Sequence, residues 1–140
     1  MVLGDAARAF LLSAPIAHLV TLNEDGSPHV TSAWVDVDGD DLLVGTLFDQ
    51  RKLRNLRRDP RVAVSFESDV VRPPGLREYL VVNGEAEVTG SGAPELLSRL
   101  AERYLGAGAG DSFPPMPDPP PGYVIRIRPT TVTGVGPWSD

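Results

Sequence analysis

The sequence predicts a mainly β domain of the α+β class: a small antiparallel barrel of about six to seven strands, with short helices at its ends. Three observations carry that prediction. Apolar residues alternate with period two in successive short runs, and turns rich in Gly, Asp and Asn separate them. Three segments of helical periodicity fall between groups of strands, so strand and helix do not alternate as a doubly wound parallel sheet requires. The chain has 140 residues, 41% hydrophobic and 23% charged, the length and composition of one domain with its own core (residues 1–140).

Residues 5–13 read as a helix with Ala6, Ala7, Phe10 and Leu11 on one face and Asp5 as its cap, ended by Ala14-Pro15. Residues 16–22 are a β-capable run, and Asn23-Glu24-Asp25-Gly26 is a tight turn. Residues 28–37 alternate and predict one strand, with Val30, Ser32 and Trp34 on one face and His29, Thr31 and Ala33 on the other. A second turn at 38–40 leads to a strand over 41–46, which makes an antiparallel meander. Asp49 then reads as the cap of a helix over 50–58, with Leu53 and Leu56 as its apolar edge and a basic remainder. Residues 61–68 predict a strand and 69–76 a loop. Residues 78–89 predict a long strand bent at Asn83-Gly84. Residues 94–105 form a helix with Leu97, Leu100, Ala101 and Tyr104 as its stripe. Residues 106–122 are a Gly- and Pro-rich loop, and 123–128 and 131–135 close the chain as strands.

Composition narrows the chemistry. Cysteine is absent, which excludes a disulfide scaffold, a thiolate metal site and a cysteine nucleophile. A net charge of −6 disfavours a general nucleic-acid binder. No run of residues has the length and apolarity of a membrane span, and the first residues lack the pattern of a secretory signal, so a cytoplasmic protein with no membrane partner is expected. His18 and His29 fall on different strands and do not make a metal site. The 106–112 run GAGAGDS follows a helix and leads into prolines, the wrong context for a dinucleotide fingerprint. The chain has twelve arginines and a single lysine, Lys52, which is followed by Leu53 rather than the Ser or Thr of a P-loop. Arg51 and Lys52 fall in the first turn of a helix, where two cations oppose the helix dipole. A bound anion relieves that conflict, and a phosphate suits the spot. A solvated basic helix face accounts for the same residues. The Val30/Ser32/Trp34 face mixes polar and aromatic groups, which suits a flat heteroaromatic ligand, as it equally suits core or an interface.

The run Arg51-Lys52-Leu53-Arg54-Asn55-Leu56-Arg57-Arg58-Asp59-Pro60-Arg61-Val62 resembles the K-x-x-N-(L)-x-x-x-P-x-(V/A) signature of the pyridoxamine 5′-phosphate oxidase-like split β-barrel family of flavin- and deazaflavin-dependent proteins. The surrounding order agrees: HLVTLNEDGSPHVTSAWV before it, YLVVNGEAEV, a helix and VIRIRPTTVTGV after it. The resemblance implies a split barrel that forms a homodimer with a cofactor in each groove between the chains. It implies that Lys52 and Arg51 hold the cofactor phosphate, with Asn55 in support. Ser32, Trp34 and Thr46 line the groove, with His29 and Thr31 nearby and Tyr79 reaching it from a later strand. The implied cofactor is coenzyme F420, with FMN as the alternative, and the implied activity is an F420H2-dependent reductase passing hydride to a small electrophile such as an enone or quinone. An FMN-binding oxidoreductase or a non-catalytic cofactor carrier are the other readings. The strand segment Thr31–Val35 carries no Arg or Lys, a departure from the oxidase itself. The 113–122 segment is expected to serve as a lid.

Overall fold

A computed structural model describes residues 2–139. Three helices, α1 (Asp5–Leu12), α2 (Arg51–Arg58) and α3 (Ala93–Leu105), accompany seven strands. The strands are β1 (Ala17–Leu22), β2 (Pro28–Ala33), β3 (Asp36–Asp38), β4 (Asp41–Thr46), β5 (Arg61–Arg72), β6 (Leu76–Gly90) and β7 (Tyr123–Val135). All lie in one antiparallel sheet of order β2-β1-β5-β6-β7-β4-β3. The fold is the expected split-barrel-like α+β arrangement.

The expected meander is replaced by two hairpins at opposite edges of the sheet. β1 pairs with β2 and β3 with β4, but β2 and β3 are the two outermost strands. Only Trp34 and Val35 separate them in the chain, a reach of at most about 11 Å. The sheet must therefore curl until its edges meet at that corner. The expected single strand over 28–37 breaks there because the two residues go to different cores. Val35 enters the main core, whereas Trp34 packs with Leu43, Leu96 and Leu100 under α3. Tyr104 replaces the lost ladder bond: its hydroxyl accepts from the Val35 N–H at 3.0 Å and donates to the Pro15 carbonyl at 2.7 Å. Asp36, next in line, is buried against Arg103 at 2.8 Å and Arg99 at 3.4 Å on α3. Burial pushes its carboxyl up, but the Arg103 hydrogen bond, the Val37 N–H and both arginine charges together hold it below the usual range.

The core follows the strand period. Val62, Val64 and Phe66 on β5, Leu80 and Val82 on β6, Ile125 and Ile127 on β7, and Leu42 and Val44 on β4 all point inward. Leu3, Ala7 and Leu11 close one end of the barrel beside α1, and Leu53 and Leu56 of α2 join the same core. On α3 the buried stripe is Ala93, Leu96, Leu100 and Ala101, so Leu96 takes the place expected for Leu97. The bend at Asn83-Gly84 is a register irregularity opposite Pro129, which merges the two expected C-terminal strands into one. A side chain at position 84 would lie 2.2 Å from the Arg128 carbonyl oxygen, so only glycine fits. The expected loop at 69–76 is instead a continued ribbon, paired through Val71–Arg77 and Arg72–Leu76. Cross-strand pairing runs up to the proline-glycine turn, and Arg72 and the buried Glu78 form a 2.7 Å ion pair across the ribbon beside it. Gly4, not Asp5, takes the cap position of α1. No helix among the described residues is long and apolar enough to cross a membrane.

Candidate functional site

β4 delivers the chain to α2. Its last residue, Thr46, is buried and donates from Oγ1 to the Phe48 carbonyl at 3.2 Å, shaping the turn into the helix. Gln50, not Asp49, takes the cap position, with extended backbone and no side-chain cap. The Asp49 carboxylate is drawn instead to the arginine-rich helix face, at 3.5 Å from Arg57 and 3.9 Å from Arg54. The first-turn amides of α2 therefore have no capping side chain of their own, in the place where a helix attracts anions.

The burial of α2 is wider than a leucine edge. Lys52 and Asn55 lie inside with Leu53 and Leu56, and Lys52 is only 7% exposed. Its ammonium has no ion-pair or hydrogen-bond partner among the described residues, and burial holds its pKa below the ordinary lysine value. A buried cation without a partner is costly unless something else supplies the counter-charge. Asn55, one turn on, is fully engaged. Its Nδ2 donates to Thr21 Oγ1 at 3.0 Å and to Asn23 Oδ1 at 3.1 Å, while its Oδ1 accepts from Arg58 at 3.1 Å. Arg58 also donates to the Leu22 carbonyl at 2.6 Å. These bonds tie α2 to β1 and to the turn after it.

The facing strand brings unmet polar groups to the same side. His29 lies opposite Thr21 in the β1–β2 register, and Thr31 opposite Leu19, both on the inward face. His29 Nδ1 and Thr31 Oγ1 are buried with no hydrogen-bond partner among the described residues. Buried polar atoms are normally paired, so each orphan points to a ligand or water. An open polar groove of about 700 Å³ runs between α2 and the β1–β2 turn, lined by Arg51, Arg54 and Arg58 on one side and Asn23, Glu24 and Asp25 on the other. Of the expected site residues, Arg51 and Asn55 line this groove, and Lys52, Thr46, His29 and Thr31 are not part of its lining.

The structure places the other three expected residues elsewhere in the same chain. Ser32 is on the opposite, outward face of β2. Trp34 is stacked on Tyr104 at 5.3 Å and tilted against Phe113 at 5.2 Å, so aromatic rings of its own chain contact it. Tyr79 is outward on β6, opposite Glu67 and Val135, at the far end of the sheet from α2. The residues that sequence reasoning passed over are Thr21, Asn23 and Arg58. Thr21 had a signal: it is the polar member of an otherwise apolar inward series, Ala17, Leu19, Thr21. The 106–122 segment is tied to α3, where Glu102 accepts from the Gly108 N–H at 3.1 Å and the Gly110 N–H at 2.5 Å. Residues 109–112 form a single 3₁₀ turn there.

This donor set fits a phosphate: a desolvated ammonium, open helix amides, and a hydroxyl and imidazole with unmet capacity. Against it stand the Glu24 and Asp25 carboxylates on the turn side of the groove, with Arg51, Arg54 and Arg58 opposite them. No group of three or more His, Asp or Glu able to hold a metal ion occurs among the described residues.

Comparison with known proteins agrees with this geometry. The family described as pyridoxamine 5′-phosphate oxidase matches residues 3–136. A solved F420 reductase is 27% identical with a TM-score of 0.69, covering 90% of this chain and 94% of its own. A conserved hypothetical protein from Mycobacterium tuberculosis is 27% identical with a TM-score of 0.72, covering 96% of this chain and 85% of its own. The heme storage protein HutZ from Vibrio cholerae shares the fold at 18% identity and a TM-score of 0.68, covering 96% of this chain and 95% of its own. No curated protein matches the sequence. With a family match over nearly the whole length, on a barrel whose buried lysine and orphaned polar groups fit a phosphate, the chain belongs to the pyridoxamine 5′-phosphate oxidase family.

Proposed function

We propose that this protein is an F420H2-dependent reductase that passes hydride to a small electrophile, such as an enone or quinone, in a groove between two copies of the chain. The observation that carries the reading is Lys52: a side chain 7% exposed whose ammonium has no partner among the described residues, one turn from a fully bonded asparagine. The likeness to an F420 reductase along nearly both chains supports the choice of cofactor. The chemistry that cofactor supplies when bound is hydride donation. The protein's own residues bind and orient. Lys52, Arg51 and the first-turn amides of α2 hold the phosphate, the Thr31 hydroxyl and a His29 ring N–H donate to its oxygens, and Asn55 fixes α2 against β1. The homodimer is supported by the outward face of the sheet, which exposes Val30 and Ser32 on β2.

The test is a fluorescence titration with F420 and, separately, FMN, followed by F420H2 oxidation with a panel of enones and quinones. Tighter binding of F420 with turnover is the expected result. Binding without turnover of any acceptor would make the chain a carrier. Tighter binding of FMN would replace the cofactor, and no binding of either would end the proposal.

A further inference from the structure

Hydride alone does not complete the reduction of an enone or quinone. The acceptor is left with a negative charge and must take up a proton. The residues named for the phosphate do not supply it: Lys52 and Arg51 keep their protons against an anion, and His29 and Thr31 donate to the same oxygens. An exposed carboxylate carries no proton at neutral pH, and a guanidinium does not release one. Imidazole is the side chain suited to the task. The chain has two histidines, His18 and His29.

His18 lines a cleft of about 600 Å³ that shares no residue with the α2 groove. It opens between α1, the turn into β1, and the start of the β5–β6 ribbon. Phe10, Pro15 and Ile16 give it an apolar wall, and His18, Glu67 and Arg77 are among its polar groups. A cleft of that size with a few polar groups on an apolar wall suits a small organic molecule. His18 is outward and exposed on β1, and its ring has no hydrogen bond or ion pair among the described residues. Its register partners, Ser32 on β2 and Ser65 on β5, are uncharged. Glu67 is two residues beyond Ser65 on the same face, and such diagonal neighbours sit about 7–8 Å apart. The other charged groups of the cleft are Asp69 and Arg77; α1 and its turn bring none. Arg77 is occupied: it donates to the Ser68 carbonyl at 2.9 Å and lies 3.9 Å from Asp69. His18 is also three residues along β1 from Thr21, where Asn55 of α2 bonds, about 10 Å at the rise of a strand. That distance leaves room for an extended cofactor anchored at α2.

We infer that the electrophile lodges in this cleft and that His18 gives it the proton. The inference rests on the reductase reading and adds to it the acceptor's place and the acid. For an enone, hydride forms the new C–H bond at the β-carbon as the carbon–carbon π bond breaks, and the reduced cofactor loses two electrons. The protonated His18 ring passes its N–H proton to the α-carbon, which yields the saturated ketone, and the ring recovers a proton from water. Glu67 and Asp69 outnumber Arg77 around the cleft, so an uncharged ring is favoured over one that carries a carboxylate.

Two histidines make the test direct, because the imidazole region of a proton NMR spectrum then holds two ring systems, and His18→Gln assigns them. The cofactor-free protein is titrated with cyclohex-2-enone. The expected result is a saturable shift of the His18 signals while those of His29 stay in place. With F420H2 and the same enone, His18→Gln lowers kcat by about 10²-fold or more and leaves the F420 Kd unchanged. The fall in kcat at high pH shown by the wild type disappears in that variant, and added imidazole restores part of the rate to His18→Gly. Unmoved His18 signals overturn the cleft. A His18→Gln kcat equal to that of the wild type, or a lowered kcat that keeps the wild-type pH profile, overturns the proton transfer. If the wild type binds neither F420 nor FMN, the reductase reading fails and the proton transfer with it, while the NMR titration still decides the cleft.

Discussion

Replacing Lys52 with Met separates a phosphate site from a buried structural lysine, because the two roles move stability and affinity in opposite ways. Lys52 is 7% exposed and its ammonium has no partner among the described residues, so the free protein bears the cost of desolvating it. Methionine fills a similar volume without that charge, and removing a poorly solvated polar group is worth about 1 kcal/mol or more. That corresponds to a gain of roughly 3–4 °C in Tm for a chain of this size. The pH dependence has a definite sign. Burial holds the Lys52 pKa below its usual 10.5, so between the two values the unfolded chain binds more protons and stability rises with pH. Lys52→Met removes that rise. With ligand the order reverses, since a charge-assisted contact to phosphate is worth about 1.5–3 kcal/mol, or roughly 10- to 150-fold in Kd. Thermal melts of the free protein and fluorescence titrations with F420 measure both. A variant that melts lower than wild type and binds F420 equally well would refute the reasoning on both counts.

Other perturbations test the parts around it. Asn55→Ala removes the bonds to Thr21 and Asn23 and strands buried partners, so urea denaturation should show a loss of about 2–3 kcal/mol. Gly84→Ala places a methyl 2.2 Å from the Arg128 carbonyl and should cost about 1–3 kcal/mol by the same measurement, through a forced shift of β7. The Arg61 hydrogen bonds, chiefly that of its side chain, hold the Asp59 carboxyl at about 2 instead of 3.8. The stabilisation from this depressed carboxyl is present above 3.8 and is lost as pH falls toward 2. Acid denaturation of Asp59→Asn should therefore show a shallower decline across that window than the wild type.

The order of elements was legible because periodicity is local. Val62, Val64 and Phe66 alternate in the sequence and in the core alike. Asn83-Gly84 announced its bend because glycine is what a close backbone approach requires. Caps were less legible. Asp49 has the chemistry of an N-cap, but Arg54 and Arg57 compete for its carboxylate, and that contest is decided by side-chain geometry. The break at Trp34-Val35 was invisible for a similar reason. The alternation continues through it, and only α3, by offering Tyr104, Arg99 and Arg103, makes the corner favourable.

The candidate site shows the same division. A mainly β chain, the short basic helix after β4 and the family signature around Lys52 were legible from residue order, because each depends on neighbours within a few residues. Composition and spacing left Arg51 and Lys52 open between an anion site and a solvated basic face, and the family signature singled them out for the cofactor phosphate. That Lys52 turns inward while the arginines stay out, that Asn55 is spent on Thr21 and Asn23, and that Tyr79 faces outward opposite Glu67 and Val135 depend on elements meeting across the fold. Burial and pairing are properties of strands brought together across the sheet, and no local pattern encodes them.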